Sequence, residues 1–219
     1  MTELFFKVPL DHSNLSSGNL RIFARSVARY ETPTTTVTEK ETRKREQKPW
    51  FLWLQGGPGK ACAAPRATPF INLILDRGHQ ILYVDQRGTG LSTPVTADTL
   101  QLRGDEQKQA DYLKLFRADS IVADCEAIRR LLTKDYPAEL KKWTVFGQSF
   151  GGFCAFTYLS KYPEGLREVF TSGGVPPIGQ SPDDVYRATF KQVRTHCVRN
   201  YFRRSLQPIT LELQTFFLM

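Results

Sequence analysis

The chain has 219 residues, a length that suits one domain with a real core and is too short for two large ones. Its hydrophobic content of 41% excludes wholesale disorder, and no apolar run reaches the roughly 18 residues of a membrane-spanning helix. The net charge is +8, but residues 187–219 hold six basic residues against one acid. A charge concentrated in the tail argues against a nucleic-acid-binding face built into the whole fold.

The cysteines and the N-terminus indicate a reducing compartment. No two of the four cysteines form a C-x-x-C pair, and no histidine lies at zinc-ligand spacing from them, so we expect no metal site. Residues 1–10 lack the basic head and long apolar middle of a secretory signal. We therefore expect a cytoplasmic protein whose four cysteines, Cys62, Cys125, Cys154 and Cys197, are reduced thiols, several of them buried as small apolar groups.

The first part of the chain predicts a hairpin. Residues 4–10 and 20–30 have the composition of strands, and the polar residues 12–18 between them predict the turn. Alternation in the second strand favours an edge strand or a hairpin partner over a central strand. Residues 31–48 are rich in Thr, Glu, Lys and Arg, which is typical of a solvated loop.

From residue 50 onward, apolar strands alternate with helical segments. Continuous apolar runs predict strands buried on both faces at 50–54, 80–84 and 143–146, with a weaker one at 167–170. Helical spacing or flanking stop signals predict helices at 69–77, 119–133 and 150–161, and one long helix from 183 to about 204. This alternation predicts an α/β fold with a mostly parallel sheet behind the antiparallel hairpin.

The strongest motif is Gly147-Gln-Ser149-Phe-Gly151, which follows a predicted strand and opens a predicted helix. G-x-S-x-G in this context is typical of the nucleophile elbow of α/β-hydrolases. A serine at the tip of so sharp a turn leaves no room for side chains two positions away, so both positions require glycine. The following helix N-terminus directs backbone N–H groups, including that of Phe150, at developing negative charge. The motif predicts Ser149 as a nucleophile.

A second glycine-rich segment, Gln55-Gly56-Gly57-Pro58-Gly59, follows the strand at 50–54. Consecutive glycines allow backbone N–H groups to point into a cleft, and the proline stiffens the turn. An α/β-hydrolase needs its other oxyanion donor at this place, so we expect the N–H of Gly56 or Gly57 to supply it.

A third turn, Asp85-Gln-Arg87-Gly-Thr-Gly-Leu-Ser92, follows the next strand. We expect Asp85 and Arg87 to form an ion pair that fixes the loops around the cleft. A phosphate or metal role is not expected, because the G-x-G here does not open a helix with the dinucleotide fingerprint.

Together these three motifs resemble the proline iminopeptidase family, serine peptidases of the α/β-hydrolase class, and the fungal-type branch most. Similar segments are Phe5–His12, Phe116–Arg129, Tyr162–Arg167 and Gly173–Pro177, so that the likeness covers about residues 4–195 in order. One departure is Gln55, where many members carry histidine.

The resemblance implies a peptide substrate with an N-terminal proline, cleaved through an acyl-enzyme on Ser149. It implies an oxyanion hole made by the N–H of Phe150 and one from Gly56–Gly57. Gln55, Pro58, Gly59, Asp85, Arg87, Gly147 and Gly151 are then structural residues of the surrounding loops. No cofactor, metal, nucleic acid or membrane is implied, and the oligomeric state stays open.

A base for Ser149 is not identifiable. In this fold the acid and then the histidine follow the serine, and the only later histidine is His196. It lies in the predicted long helix about 18 Å along the axis from Asp183 and Asp184, so one helix cannot bring them together. His12 precedes the serine, and His79 enters the sheet at the wrong end.

We therefore expect this chain to resemble the N-terminal half of such an enzyme. Residues 1–181 would form part of the hydrolase core, and residues 182–219 the start of a helical cap with an atypical tail. The triad acid and base would lie beyond residue 219, and the activity of the chain itself would be low or absent. Two alternatives stay open, an esterase of the same fold and a non-catalytic fragment that binds another chain through an exposed sheet edge.

Overall fold

The computed structural model describes residues 1–29, 47–174, 179 and 181–200, without the side chains of 182 and 196–200. Most of the predicted loop at 31–48 and the end of the predicted long helix lie outside the described residues. The chain divides into two compact units, residues 1–175 and 176–219, and each is described by itself. No helix among the described residues is long and apolar enough to span a membrane.

The first unit contains six strands and five α-helices among its described residues. The strands are β1 (Thr2–Asp11), β2 (Asn14–Val27), β3 (Trp50–Leu54), β4 (Gln80–Val84), β5 (Trp143–Gln148) and β6 (Leu166–Ser172). The helices are α1 (Pro69–Asp76), α2 (Ala97–Gln101), α3 (Glu106–Lys114), α4 (Ala118–Leu132) and α5 (Phe150–Lys161), with short 3₁₀ turns at Ala138–Leu140 and Pro163–Gly165. In the second unit, α6 spans Pro182–Asn200.

All six strands form one sheet in the order β1-β2-β4-β3-β5-β6. β1 and β2 form the antiparallel hairpin, and β2 pairs antiparallel with β4. The strands β4, β3, β5 and β6 are parallel to one another, as the βα alternation predicts. The prediction of a mostly parallel sheet with an N-terminal hairpin is confirmed. Because parallel strands end at one edge, the loops after β3, β4 and β5 lie together.

The core lies on both faces of the sheet. On one face, Leu52, Leu82 and Val145 pack against the apolar stripe of α4 and against α5. On the other face, Phe51 and Ile81 pack against α1. Successive strand residues point to opposite faces, so a strand covered on both sides is apolar at every position. This is why β3, β4 and β5 were visible as continuous apolar runs.

The hairpin differs from the sequence expectation in its turn. The predicted polar turn at 12–18 is wrong, because the strands continue to Asp11 and resume at Asn14, leaving a two-residue connection. Residues 14–19 are exposed, and the pairing with β1 joins Asn14 to Asp11 and Asn19 to Pro9. β2 is the hairpin partner of β1, but it lies inside the sheet because its other edge pairs with β4.

Candidate active site

Ser149 lies between the end of β5 and the start of α5, at the carboxyl edge of the parallel strands. Its backbone has φ 52° and ψ −121°, a conformation that costs a non-glycine residue about 1–3 kcal/mol. Its N–H donates to the Ser172 carbonyl at 2.9 Å, and its own carbonyl accepts from Gly152 N–H at 2.8 Å. Hydrogen bonds on both sides therefore hold a strained turn that leaves Ser149 exposed.

The glycines two positions before and after Ser149 are required by close backbone contact. A Cβ on Gly147 would overlap the Gly151 carbonyl, and a Cβ on Gly151 would overlap the carbonyl of Leu54 at the end of β3. The elbow is thus packed directly on itself and on the neighbouring strand, as the motif predicts.

The loop after β3 lies against the same serine. A Cβ built on Gly56 would stand 2.6 Å from the Gln148 carbonyl oxygen and 3.0 Å from Ser149 Cβ. Gly56 is buried, and Gly57 has a left-handed φ of 73° and accepts at its carbonyl from Lys60 N–H. Phe150 is the first residue of α5, where an N–H group has no partner within the helix. The backbone of the predicted oxyanion donors is therefore next to Ser149.

The loops after β3 and β4 are tied together by Asp85. One carboxylate oxygen accepts from Cys62 N–H at 2.8 Å and the other from Leu91 N–H at 2.9 Å. Gln86 adds a second link, because its amide donates to the Gln55 carbonyl at 3.1 Å. Ser92 closes the turn by donating to the Asp85 carbonyl at 2.6 Å. These bonds fix the segment from Gln55, including the exposed Pro58 and Gly59, relative to β4.

The expected ion pair between Asp85 and Arg87 is wrong. Arg87 instead forms a bidentate pair with Asp124 of α4, with Nε 2.7 Å from one carboxylate oxygen and a terminal nitrogen 2.6 Å from the other. Its remaining donors bind the carbonyls of Pro9, Leu10 and Leu115. All five N–H groups of the guanidinium thus have acceptors, which a fully buried arginine requires.

Asp124 is the residue that the sequence reasoning missed. It lies within the buried face of α4, among Ile121, Val122 and Cys125. An acid inside an apolar helical stripe needs a buried partner, so the position of Asp124 in the sequence indicates a buried ion pair. His12 also contacts it, with Nε2 2.7 Å from an Asp124 oxygen.

Neither histidine in the first unit serves Ser149. His12 is bonded to Asp124 at the hairpin turn beside β1, and four strand spacings of about 4.8 Å separate β1 from β5. His79 precedes β4, at the amino edge of the parallel strands, opposite to Ser149. The His196 side chain lies outside the described residues. No side chain that the structure describes is hydrogen-bonded to Ser149 Oγ.

The described cysteines are not competing nucleophiles. Cys62, Cys125 and Cys154 are free and buried. Burial raises the pKa of the Cys62 thiol to about 12, helped by the Asp85 charge, and burial alone raises the pKa of Cys154 to about 12. Burial, followed by the Asp124 charge, also raises the pKa of Cys125. These thiols stay protonated at neutral pH, where the thiolate is the reactive form. Within the described ranges, no cluster of His, Cys, Asp and Glu could hold a metal ion.

The family model described as the alpha/beta hydrolase fold matches residues 49–203. The chain belongs to the α/β-hydrolase family. The matched span begins just before β3 and includes all three motif loops. Among members of this family, it is 46% identical over 189 residues to a proline iminopeptidase of Aspergillus aculeatus and 46% identical over 191 residues to one of Aeromonas sobria. The predicted resemblance to proline iminopeptidases is confirmed.

The matched relatives are much longer than this α/β-hydrolase chain. The alignments cover 86% of the chain but only 40% of the Aspergillus aculeatus protein and 41% of the Aeromonas sobria protein. Among solved structures, a proline iminopeptidase-related protein of Thermus thermophilus is 17% identical, with a TM-score of 0.44 over 87% of this chain and 57% of that one. The chain thus spans about 40% of the length of the curated relatives named here.

Proposed function

We propose that this chain carries the nucleophile and the oxyanion hole of a serine aminopeptidase that releases N-terminal proline from peptides. The observation that carries the proposal is the strained backbone of Ser149 with Gly56 packed beside it, in a chain 46% identical to proteins named proline iminopeptidase.

In the proposed reaction, Ser149 Oγ attacks the carbonyl carbon of the N-terminal proline residue. Its proton passes to a histidine base, and the negative charge moves to the carbonyl oxygen. The N–H groups of Phe150 and of Gly56 or Gly57 bind that oxygen, and loss of one such donor costs about 3–4 kcal/mol of transition-state stabilisation. The base then protonates the leaving amine, and water releases proline from the acyl-enzyme.

The base and its orienting acid are proposed to come from polypeptide outside residues 1–219. This is supported by the absence of a described side chain bonded to Ser149 Oγ and by the greater length of the relatives. Without its base, a serine protease loses about 10⁶-fold in rate. The chain alone is therefore expected to be close to inactive. A cytoplasmic location is proposed on the three free, buried cysteines, which suit a reducing compartment.

A chimera tests the function directly. The matched region of the Aeromonas sobria protein is replaced by the aligned residues of this chain, so that the base and the nucleophile share one polypeptide. We expect hydrolysis of a proline arylamide, no hydrolysis of an acetate ester, and loss of activity in the Ser149→Ala chimera. A folded chimera that cleaves only the ester would favour the esterase alternative, and arylamide hydrolysis that survives Ser149→Ala would exclude Ser149 as the nucleophile.

A further inference from the structure

A buried glutamine in the loop after β4 contacts the loop after β3. Gln86 is 4% exposed, and its side-chain amide donates to the Gln55 carbonyl at 3.1 Å. A carbonyl oxygen can only accept a hydrogen bond, so the NH₂ end of the amide must face it. The bond joins the turns that follow two neighbouring parallel strands, at the edge of the sheet where Ser149 lies.

The acceptor of this bond belongs to the peptide group that also carries the Gly56 N–H. No described residue has a cis peptide bond, so this group is planar and trans, and its C=O and N–H point in opposite directions. The bond from Gln86 to the Gln55 carbonyl therefore directs the Gly56 N–H away from Gln86. One hydrogen bond thus fixes the orientation of a backbone donor.

The Gly56 N–H is available to a substrate. A Cβ built on Gly56 would stand 3.0 Å from Ser149 Cβ, so the Gly56 backbone lies beside the proposed nucleophile. Gly56 is buried, and its N–H makes no hydrogen bond to another described residue. Buried N–H groups normally have an acceptor, and an oxyanion formed next to Ser149 would supply one.

The glutamine is itself held in place. The Gln86 carbonyl accepts from the N–H of Thr89 at 3.0 Å and from its hydroxyl at 2.7 Å. The preceding Asp85 binds Cys62 N–H at 2.8 Å. The loop after β3 is thereby attached to the loop after β4 on both sides of Gly56, at Gln55 and at Cys62. Such attachment matters because a displacement of about 1 Å in an active site can cost about 10²-fold in rate.

We propose that Gln86 is a positioning residue of the oxyanion hole and acts through the Gln55–Gly56 peptide group. It makes the Gly56 N–H, rather than that of Gly57, the donor from this loop. It also polarises that donor, because linked hydrogen bonds strengthen one another. Gln86 itself does not touch the substrate. The inference rests on the nucleophile and oxyanion hole of the proposed function, and not on its proline substrate.

The test compares two buried glutamines in the chimera with the Aeromonas sobria protein. Gln86→Met removes the amide donor at similar volume. Gln80→Met is the matched control, because Gln80 is 8% exposed and its amide donates to the Lys48 carbonyl at 2.9 Å and to the Tyr136 hydroxyl at 3.1 Å. Gln80 begins β4, at the edge of the sheet opposite to Ser149. Urea unfolding measures the loss of stability in each variant.

The two variants should differ in rate and not in substrate binding. Gln86→Met should lower kcat for a proline arylamide about ten- to a hundredfold, as expected for a misplaced oxyanion donor. KM should change less than about threefold, because the oxyanion forms only after the substrate has bound. Labelling of Ser149 by a fluorophosphonate should slow by a similar factor, since this reaction also places negative charge on an oxygen. Gln80→Met should change either rate less than about twofold.

A second variant keeps the test decisive if Gln86→Met does not fold. Gln86→Asn retains the amide on a side chain that is one carbon shorter, so the bond to Gln55 is lost while the site stays polar. It should also lower kcat and the labelling rate at least about fivefold, with KM changed less than about threefold.

Three results in an active chimera would overturn the proposal. Unchanged rates in the Gln86 variants would show that the peptide group keeps its orientation without this bond. Equal losses in Gln86→Met and Gln80→Met would assign the effect to stability, and a higher KM with unchanged kcat would assign it to substrate binding. A parent chimera that is labelled but does not cleave the arylamide excludes only the proline substrate, and its labelling rates still test Gln86. Absence of labelling in the parent would overturn the proposed nucleophile and this inference together.

Discussion

Arg87 and Asp124 form a buried bidentate ion pair that joins the loop after β4 to helix α4. The guanidinium is fully buried, the carboxylate is 3% exposed, and the two bonds measure 2.6 and 2.7 Å. The same arginine holds the carbonyls of Pro9 and Leu10 at the end of β1. The Arg87 side chain thereby fixes the hairpin and α4 to the loop after β4. Asp85, at the start of that loop, holds the segment beside Ser149 through its bond to Cys62 N–H.

Removing the charge of Asp124 should strongly destabilise the fold. Asp124→Asn leaves the Arg87 guanidinium buried without a counterion, and breaking such a pair costs about 3–5 kcal/mol. Arg29→Ala is the control, because its pair with Asp76 is 47% and 61% exposed and should contribute less than about 1 kcal/mol. Urea unfolding measures both. Equal losses in the two variants would show that Arg87 does not depend on Asp124.

The turn at Ser149 has no room for a methyl group at Gly151, so adding one should destabilise the fold. Gly151→Ala places a Cβ against the carbonyl oxygens of Leu54 and Gln55, neither of which can move without shifting β3. We expect a loss of about 3 kcal/mol in the free energy of unfolding. Gly78→Ala is the control, because Gly78 has a left-handed φ of 82° but nothing lies within 4 Å of the new Cβ. It should cost about 1–2 kcal/mol from backbone strain alone. A Gly151→Ala variant as stable as the parent would contradict this packing.

The buried thiols should resist alkylation in the folded chain. With a pKa of about 12, Cys62 and Cys154 carry a thiolate fraction of about 10⁻⁴ at pH 8. Iodoacetamide should therefore label them only after unfolding in urea, and peptide mapping by mass spectrometry assigns each site. Rapid labelling of Cys62 in the native chain would show that the loop after β3 is open.

Acid should remove stability through Glu126. Burial opposes ionisation of this carboxyl, but hydrogen bonds from Arg129, Arg130 and Tyr158 outweigh it and lower the pKa from 4.5. A carboxyl group whose pKa is lower in the folded chain than in the unfolded chain stabilises the fold when the pH is above the unfolded pKa. This contribution to stability is lost as the pH falls below about 4.5. Glu126→Gln should cost about 1–3 kcal/mol at pH 7, and its difference in stability from the parent should shrink as the pH falls below about 4.5. A difference independent of pH would exclude ionisation as the cause.

The sequence predicted the parts of the fold that repeat a local pattern. The central strands were visible because burial on both faces makes every residue apolar, as in Leu52 and Val145. Helices α2 and α3 were missed, because neither contains a buried residue and so neither shows an apolar stripe. The hairpin turn was placed too broadly, since pairing of the backbone, not side-chain burial, extends β2 to Asn14.

The site followed the same division. The backbone at Ser149 and its close contact with Gly56 were predictable, because glycine in these motifs marks positions where a side chain would not fit. The partner of Arg87 was not, because 37 residues separate it from Asp124 and only the fold joins them. Asp85 was expected to bind a side chain, but its two oxygens accept backbone N–H groups, which no residue pattern reveals.

Reaction with a fluorophosphonate probe tests the central proposal most directly, namely that Ser149 is a hydrolase nucleophile whose base comes from polypeptide outside residues 1–219. The chain alone and the chimera with the Aeromonas sobria relative are exposed to the probe, and the modified residue is identified by peptide mapping. We predict rapid labelling at Ser149 in the chimera and none in its Ser149→Ala variant. In the chain alone, labelling should be slower by several orders of magnitude. Labelling of the isolated chain at Ser149 as fast as in the chimera would contradict the account.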